Sequence, residues 1–165
     1  MRTIKFKAKC LDNDEWVEGY FYEECNNTYI IEDRQSESML NRDSPHKVDP
    51  ATVCQFTGFL DKNGKEIYEG DVLRSDEYSF SSAPDGKNDN YYGIVLYCEE
   101  GAAFCIMAVK NPQFALRGCS DGVTEDITQE KLKKFEVVGN IHEEEWKKIY
   151  AEYFPTEEEK EAEDD

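Results

Sequence analysis

Residues 53–73 decide the fold, and they read VCQFTGFLDKNGKEIYEGDVL. The opening part of this stretch is rich in β-branched and aromatic side chains, which predicts a strand over residues 53–60. Asn63 and Gly64 follow, and this pair favours the two positive-φ positions of a type I′ turn. After a short apolar segment, Gly70 predicts a tight bend or bulge before the next strand. The succession of strand, turn and strand is typical of an antiparallel β protein.

Upstream of this stretch, the chain predicts an N-terminal antiparallel meander of three strands. The predicted strands are apolar on at least one face, and turn-forming residues separate them. Strands and turns are expected, in chain order, at residues 2–10, 12–14, 16–24, 26–27 and 28–32. In the first strand, Lys5, Lys7 and Lys9 share one face at a period of two residues. Because charged runs usually mark solvated surface, we interpret this face as exposed to solvent.

Aromatic residues cluster in two places, the second strand and the surroundings of a polar segment. The two groups are Trp16, Tyr20, Phe21 and Tyr22, and Tyr78, Phe80, Tyr91 and Tyr92. The polar segment, residues 75–92, predicts a long mobile loop and is the place to expect partner contacts. Aromatic side chains are enriched in recognition surfaces, but they also fill the core of small β domains. The sequence alone leaves both interpretations open.

The following part of the chain predicts a second hairpin, more deeply buried than the first. Its strands are expected at residues 93–98 and 102–109, because both segments are almost continuously apolar. Asp126 or Thr128 can then cap a short helix, and residues 135–141 predict the last strand.

The C-terminal region predicts helix and then disorder. Residues 143–155 form an amphipathic pattern that begins at Trp146 and continues at helical spacing. Residues 156–165 hold seven acids and no large apolar residue, which predicts a disordered tail. We therefore expect a mainly β domain over residues 2–142, with the N-terminal meander, a small barrel-like set of strands from about 53 to 141, and short helices near the C-terminus.

The chain is strongly acidic, with 19 Lys and Arg against 37 Asp and Glu and a net charge of −18. Because affinity for nucleic acid comes largely from Lys and Arg at phosphates, direct nucleic-acid binding is disfavoured. No apolar segment approaches the roughly 20 residues that span a bilayer. None follows the basic N-terminus as a signal peptide would require. We expect a cytoplasmic protein that does not contact membranes.

No catalytic, cofactor or metal site is predicted. Six cysteines occur without a CxxC pair, and a reducing compartment favours thiols that act as small apolar side chains. His46 and His142 have no motif around them, which favours surface or capping roles. Asp49 before Pro50 favours a helix N-cap over a catalytic acid. The glycine-rich phosphate-binding motifs and HExxH are absent, and paired carboxylates are uninformative among 37 acids.

Several segments of the chain, taken in order, form a recognisable pattern. They are IKFKAK (4–9) with WVEGY (16–20), VDPATVCQFTG (48–58), DKNGKEIYEGDV (61–72) and VGNI (138–141). Together they resemble the YopX family of phage and prophage proteins over about residues 2–142. Cys54, where that family usually has glycine, and the long 75–92 loop are departures. The resemblance implies a mainly β, barrel-like fold in a bacterial or phage-infected cytoplasm, and it supplies no catalytic residues.

Three functions are compatible with these observations. The first is a non-catalytic accessory module that binds a host or phage protein or assembles with a second copy of itself. The second is an acidic nucleic-acid mimic that occupies the basic groove of a host DNA-processing enzyme. The third, an enzyme acting on a small molecule, depends only on the excess of carboxylates.

Overall fold

The structure is a computed structural model, and it describes residues 3–32, 45–75, 91–99, 101–109 and 124–153. The predicted tail at 156–165, all but the ends of the predicted loop at 75–92, and Cys119 lie outside these residues. Within the described ranges the mainly β fold is confirmed, because the strands form two sheets and the α-helices are short. The chain divides into two compact units.

The first unit comprises residues 1–59 and 66–69. Its elements are β1 (Phe6–Lys9), β2 (Trp16–Glu24), β3 (Asn27–Glu32), β4 (His46–Lys47), the 3₁₀ helix η1 (Pro50–Thr52), β5 (Cys54–Leu60) and β6 (Glu66–Tyr68). The strands form one sheet in the order β4-β3-β2-β1-β5-β6. The predicted meander of the first three strands is confirmed, since β1 pairs with β2 and β2 with β3, both antiparallel.

The first sheet extends further than the sequence predicted. We expected the second group of strands to begin near residue 53, but β5 and β6 belong to the first sheet. Phe6 pairs with Gln55 and Lys7 with Cys54, so β5 occupies the edge of β1 that β2 leaves open. The reason is that the backbone groups on both edges of a buried strand need hydrogen-bond partners.

Two turns of the first half differ in detail from their prediction. Cys25 and Asn26 have φ angles of 50° and 62°, so the β2–β3 turn comes one residue earlier than expected. The predicted type I′ turn at Asn63 and Gly64 is wrong, because only Gly64 of this pair has a positive φ, 82°. The Asp61 carboxylate accepts the Asn63 N–H at 2.7 Å, an Asx-type turn that holds Asn63 in ordinary geometry.

The second unit comprises residues 60–65 and 70–165. Its elements are β7 (Asp71–Ser75), β8 (Tyr91–Cys98), β9 (Ala103–Val109), β10 (Thr124–Asp126), α1 (Gln129–Leu132), β11 (Glu136–Asn140) and α2 (Glu144–Tyr153). The sheet order is β10-β9-β8-β7-β11. The deeply buried β8–β9 hairpin is confirmed, since Ile94, Val95 and Ile106 have at most 1% exposure. Thr128 caps α1, whereas Asp126 ends β10.

Helix α2 covers one face of the second sheet. Trp146 belongs to a buried cluster with Val72, Ile94 and Met107, which the amphipathic pattern of the sequence anticipated. Gly139 in β11 lies beneath this indole, and a Cβ at that position would overlap the indole Nε1. The absence of a side chain at Gly139 therefore allows the helix to approach the sheet closely.

Candidate functional site

The two faces of the first sheet bury different kinds of side chain. One face is a conventional apolar cluster, in which Ala8, Val17 and Ile30 are at most 6% exposed. Because side chains alternate along a strand, the lysines of β1 point to the opposite face. That opposite face also holds the aromatic side chains of Trp16 and Tyr68, which pack with Cys54 and Phe56.

The lysine row, Lys5, Lys7 and Lys9, contradicts our interpretation of a solvent-exposed face. Lys7 is only 9% exposed, and its Nζ lies 4.9 Å from the ring centroids of both Trp16 and Tyr68. Lys9 Nζ lies 5.9 Å from the Trp16 centroid. The aliphatic stems can bury against apolar surface while the ammonium groups face the electron-rich rings. The lysine row is therefore part of the packed structure.

Carboxylates and a phenol complete the partners of the lysine row. Lys5 Nζ lies 2.5 Å from Glu66 Oε2 and 3.6 Å from Glu18 Oε2. The Tyr68 hydroxyl donates to the same Glu66 oxygen at 2.8 Å. Burial lowers the pKa of Lys5, but the hydrogen bond and charge of Glu66, with Glu18, outweigh it and raise the pKa overall. Burial, followed by Glu66, also raises the pKa of Tyr68, so this phenol stays neutral and remains a donor.

Beside the lysine row, the same face of the β2–β3 hairpin remains open. Tyr20 and Ile31 are cross-strand partners and are 50% and 40% exposed. The next pair, Tyr22 and Tyr29, stacks with ring centroids 5.1 Å apart. We refer to Tyr20, Tyr22, Tyr29 and Ile31 as the hairpin patch. Four neighbouring apolar side chains thus form a contiguous surface on two paired strands.

Acidic residues border the hairpin patch along β2. Glu18 precedes Tyr20 and Glu24 follows Tyr22 on the same face, because all four positions alternate at a period of two. Desolvation, then the Glu24 carboxylate and Tyr29, raises the pKa of the Tyr22 hydroxyl. The patch therefore combines aromatic rings with negative charge at both ends.

An open cavity of about 450 Å³ lies within the first unit, near the β1–β2 turn. Its lining includes Cys10, Asp12, Glu15, Glu32 and His46. Burial, and then the surrounding carboxylates, raises the pKa of the Cys10 thiol, which disfavours the nucleophilic thiolate. His46 Nε2 lies 2.9 Å from Glu32 Oε1, and this histidine belongs to strand β4.

Asp49 and His142, two further candidates from the sequence, take part in local hydrogen bonds of the fold. Asp49 is confirmed as an N-cap, since its carboxylate accepts the Ala51 N–H at 3.0 Å. His142 donates its backbone N–H to Asn140 Oδ1 at 3.0 Å, after the end of β11. In the described part of the chain no group of three or more His, Cys, Asp and Glu is arranged to hold a metal ion. Neither α-helix within the described ranges is long and apolar enough to cross a bilayer.

The two predicted aromatic groups have different outcomes. In the first group, Trp16 and Phe21 are half-buried, and Phe21 lies 5.3 Å from Phe6 between ring centroids, while Tyr20 faces outward. In the second group, Tyr78 and Phe80 lie outside the described residues. The ring of Tyr92 packs 5.5 Å from that of Trp146. Both interpretations, core filling and exposed surface, therefore apply to different members of the same group.

Tyr29, Ile31 and Tyr68 were not predicted as members of the lysine-bearing face of the first sheet. The observed turn at Cys25 and Asn26 places Tyr29 opposite Tyr22 and Ile31 opposite Tyr20, whereas the turn predicted at residues 26–27 would have shifted this pairing by two residues. Tyr68 had no local signal, since its strand follows a separate turn far along the chain.

Comparisons with known proteins give one family match and a similar solved structure. A family model described as "YopX protein" matches residues 5–145. The chain is similar to the crystal structure of protein EF1440 from Enterococcus faecalis, with 23% sequence identity and a TM-score of 0.48. That comparison covers 88% of this chain and 99% of the other. No curated protein matches the sequence.

Proposed function

The chain belongs to the YopX family, and from this premise we propose that it is a non-catalytic accessory module that binds another protein through the hairpin patch. The supporting observation is the exposed cross-strand pair of Tyr20 and Ile31, at 50% and 40% exposure. Tyrosine is enriched in protein interfaces because it offers a large rigid ring and a polar end. Contiguous exposed apolar surface on a folded domain commonly marks such an interface.

The acidic residues around the hairpin patch indicate what kind of partner it binds. Glu18 and Glu24 border the aromatic rings, and the whole chain has a net charge of −18. A complementary partner presents an apolar side chain for the tyrosines, with Lys or Arg near its edge. The lysine row does not oppose this partner, because Lys5 and Lys9 are paired with carboxylates of the same unit.

A binding role without catalysis also agrees with the chemistry of the cavity. The raised pKa of Cys10 leaves a protonated thiol in acidic surroundings. The partner is a host or phage protein in the cytoplasm of a bacterium, which is the setting that the resemblance implied.

The test is a comparison of three tagged full-length chains in capture from bacterial lysate with identification by mass spectrometry. The first is the unchanged chain, and the second combines Tyr20→Ser with Ile31→Ser. The third is the matched control Tyr97→Ser, which removes a tyrosine that is 46% exposed on the second sheet. We expect at least one protein to be retained by the unchanged chain and the control, and lost by the double variant.

The affinity of the captured protein, once purified, decides the proposal. Loss of two interface side chains worth about 1–2 kcal/mol each predicts at least roughly 30-fold weaker binding for the double variant. Equal affinity of all three chains would contradict the proposal. A fourth chain, in which residues 75–92 are replaced by a Gly-Ser linker, tests the other predicted contact region. Loss of binding in that chain alone would assign recognition to residues 75–92.

The acidic nucleic-acid mimic is the second candidate, and the net charge of −18 favours it. The two proposals differ in their dependence on salt. A mimic binds a basic groove through many exposed charges, so its affinity falls steeply between about 50 and 200 mM salt. Binding through the hairpin patch depends mainly on apolar contact and changes little over the same range. A steep fall together with an unaffected double variant would support the mimic.

A further inference from the structure

Two cysteines lie together on the second sheet, in the β8–β9 hairpin. The Sγ atoms of Cys98 and Cys105 are 3.3 Å apart. Cys98 pairs with Ala103 and Leu96 pairs with Cys105, so the two cysteines are diagonal neighbours on the same face of adjacent strands. Cys98 is half-buried and Cys105 is 5% exposed. Cys98 is thus the more exposed of the two cysteines, and its Sγ atom lies close to that of the buried Cys105.

We propose that Cys98 and Cys105 are an oxidation-sensitive pair that closes into a reversible intramolecular disulfide on reaction with a low-molecular-weight disulfide such as oxidised glutathione. This inference is independent of the proposed binding role, because the pair and the hairpin patch belong to different units. It also assigns a modification site to residues that the sequence suggested only as small apolar side chains.

The reaction proceeds in two thiol–disulfide exchanges. The Cys98 thiolate attacks one sulfur of oxidised glutathione, which forms a mixed disulfide and releases one glutathione thiolate. The Cys105 thiolate then attacks Cys98 Sγ, forms the protein disulfide and releases the second glutathione. Two electrons pass from the cysteines to oxidised glutathione, and the two thiol protons end on the two reduced glutathione molecules.

The geometry favours a disulfide that is easily reduced again. Closure shortens the Sγ–Sγ distance from 3.3 Å to about 2.05 Å, a change that rotation of two side chains provides in part. Diagonal neighbours on paired strands are typically about 7–8 Å apart, beyond the usual Cα separation of disulfides at about 4.4–6.8 Å. A pair at that separation closes only if the strands approach each other, and strained disulfides of this kind are more readily reduced.

The position of the pair connects it to helix α2. Cys105 is directly opposite Leu96, and Leu96 packs against the cluster that contains Ile94 and Trp146. A shift of β8 against β9 at Cys98 and Cys105 therefore reaches the surface on which the helix packs. Formation of the disulfide is the step that the experiment measures.

The experiment treats the full chain with oxidised glutathione, blocks remaining thiols with an alkylating reagent, and maps peptides by mass spectrometry. Proteolysis after Glu99 separates Cys98 from Cys105, so a bond between them appears as two linked peptides, and migration of the oxidised chain as a monomer on a non-reducing gel identifies it as intramolecular. We expect this linked species, its loss on treatment with reduced glutathione, and its absence in Cys98→Ser and in Cys105→Ser. Cys25, which is exposed, is the internal control for reaction with the oxidant.

The same peptide map also shows the results that would overturn the proposal. If Cys25 is fully converted to its glutathione adduct while Cys98 and Cys105 are both alkylated, the pair does not react. If Cys98 keeps glutathione without forming the link, Cys105 does not resolve the mixed disulfide. Linkage of either residue to a different cysteine would also exclude the assignment. None of these readings depends on the folding of a variant.

Discussion

The two sheets cover an aromatic face in different ways. In the second sheet, helix α2 places Trp146 over Val72, Ile94 and Met107, so apolar side chains of the same chain exclude water. In the first sheet, the ammonium groups of Lys7 and Lys9 lie over the Trp16 ring, and Lys7 also lies over the Tyr68 ring.

The difference has a consequence for binding. A helix covers a broad area and leaves little of the underlying face exposed. A row of lysines covers only the strand next to it, so the neighbouring hairpin keeps Tyr20 and Ile31 at the surface. Tyr20 and Ile31 are therefore the exposed residues on which the proposed binding role depends.

The largest expected effect tests whether the helix-covered face is the more apolar of the two. Trp146→Ala removes a side chain that is 9% exposed, and we expect a loss of about 3–5 kcal/mol in the free energy of unfolding. Trp16→Ala removes a half-buried ring and is expected to cost about 1–2 kcal/mol. Chemical denaturation monitored by circular dichroism measures both. Equal losses would show that the two faces depend equally on their indoles.

The next largest effect on stability is expected at Lys7, where two substitutions separate the contribution of its aliphatic stem from that of its charge. Lys7→Ala removes both and is expected to destabilise the protein by about 1–2 kcal/mol. Lys7→Met keeps an unbranched apolar side chain over Trp16 and Tyr68, so a change below about 1 kcal/mol is expected. A larger loss for Lys7→Met, measured by the same denaturation, would assign most of the stabilisation to the ammonium group.

The pH dependence of stability distinguishes the two sheets on the alkaline side. The folded pKa of Tyr68 lies above its ordinary value of 10.0, and that of Lys5 above 10.5. The stability that each provides is fully present below the ordinary pKa and is lost as the pH rises through the folded pKa. We expect the free energy of unfolding to fall above about pH 10 and to fall less in Tyr68→Phe. An identical alkaline decline in both chains would contradict this assignment.

On the acid side, we expect Glu136 of the second sheet to make stability depend on pH. Glu136 accepts a hydrogen bond from Lys62 at 3.0 Å and pairs with Arg74 at 2.6 Å. The Lys62 hydrogen bond, then the charges of Arg74 and Lys62, hold the pKa of Glu136 below its ordinary value of 4.5 against the opposing effect of burial. This stability is present above pH 4.5 and is lost as the pH falls through the folded pKa. We expect Glu136→Gln to flatten the acid limb of a melting-temperature profile, and an unchanged limb would exclude the ion pairs as its cause.

The smallest effect on stability is expected at the hairpin patch. Tyr20→Ser changes an exposed side chain, so the free energy of unfolding is expected to stay within about 0.5 kcal/mol of the unchanged chain. Thermal melting of the variant measures this. A large loss would mean that Tyr20 is a structural residue, and weaker partner binding by the double variant would then reflect unfolding.

Local patterns in the sequence were sufficient for much of the fold. Alternation predicted the first three strands, the 3.6-residue period predicted α2, and the residue before Pro50 was recognised as a cap. These signals depend on neighbours within a few residues, so they do not require knowledge of the rest of the chain. The turn at residues 61–64 was predicted at the right place. Its type was wrong, because the Asp61 carboxylate accepts the Asn63 N–H and Asn63 does not adopt the positive φ of a type I′ turn.

The candidate surface was only partly predictable. The aromatic side chains of β2 were identified, but which of them would face outward depended on what covers each face of the sheet. The interpretation of the lysine row was wrong for the same reason, since the ring of Tyr68 comes from a strand distant in sequence. A charge pattern in one segment contains no information about the rings that other segments bring to it.

The sequence by itself therefore determined the mainly β class, the order of most elements and the family resemblance, because these follow from local periodicity and short motifs. The tertiary structure alone decided that β5 pairs with β1, that Lys7 lies between two aromatic rings, and that Cys98 meets Cys105. Each of these contacts joins different strands through the pairing register, and that register is set by packing over the whole sheet.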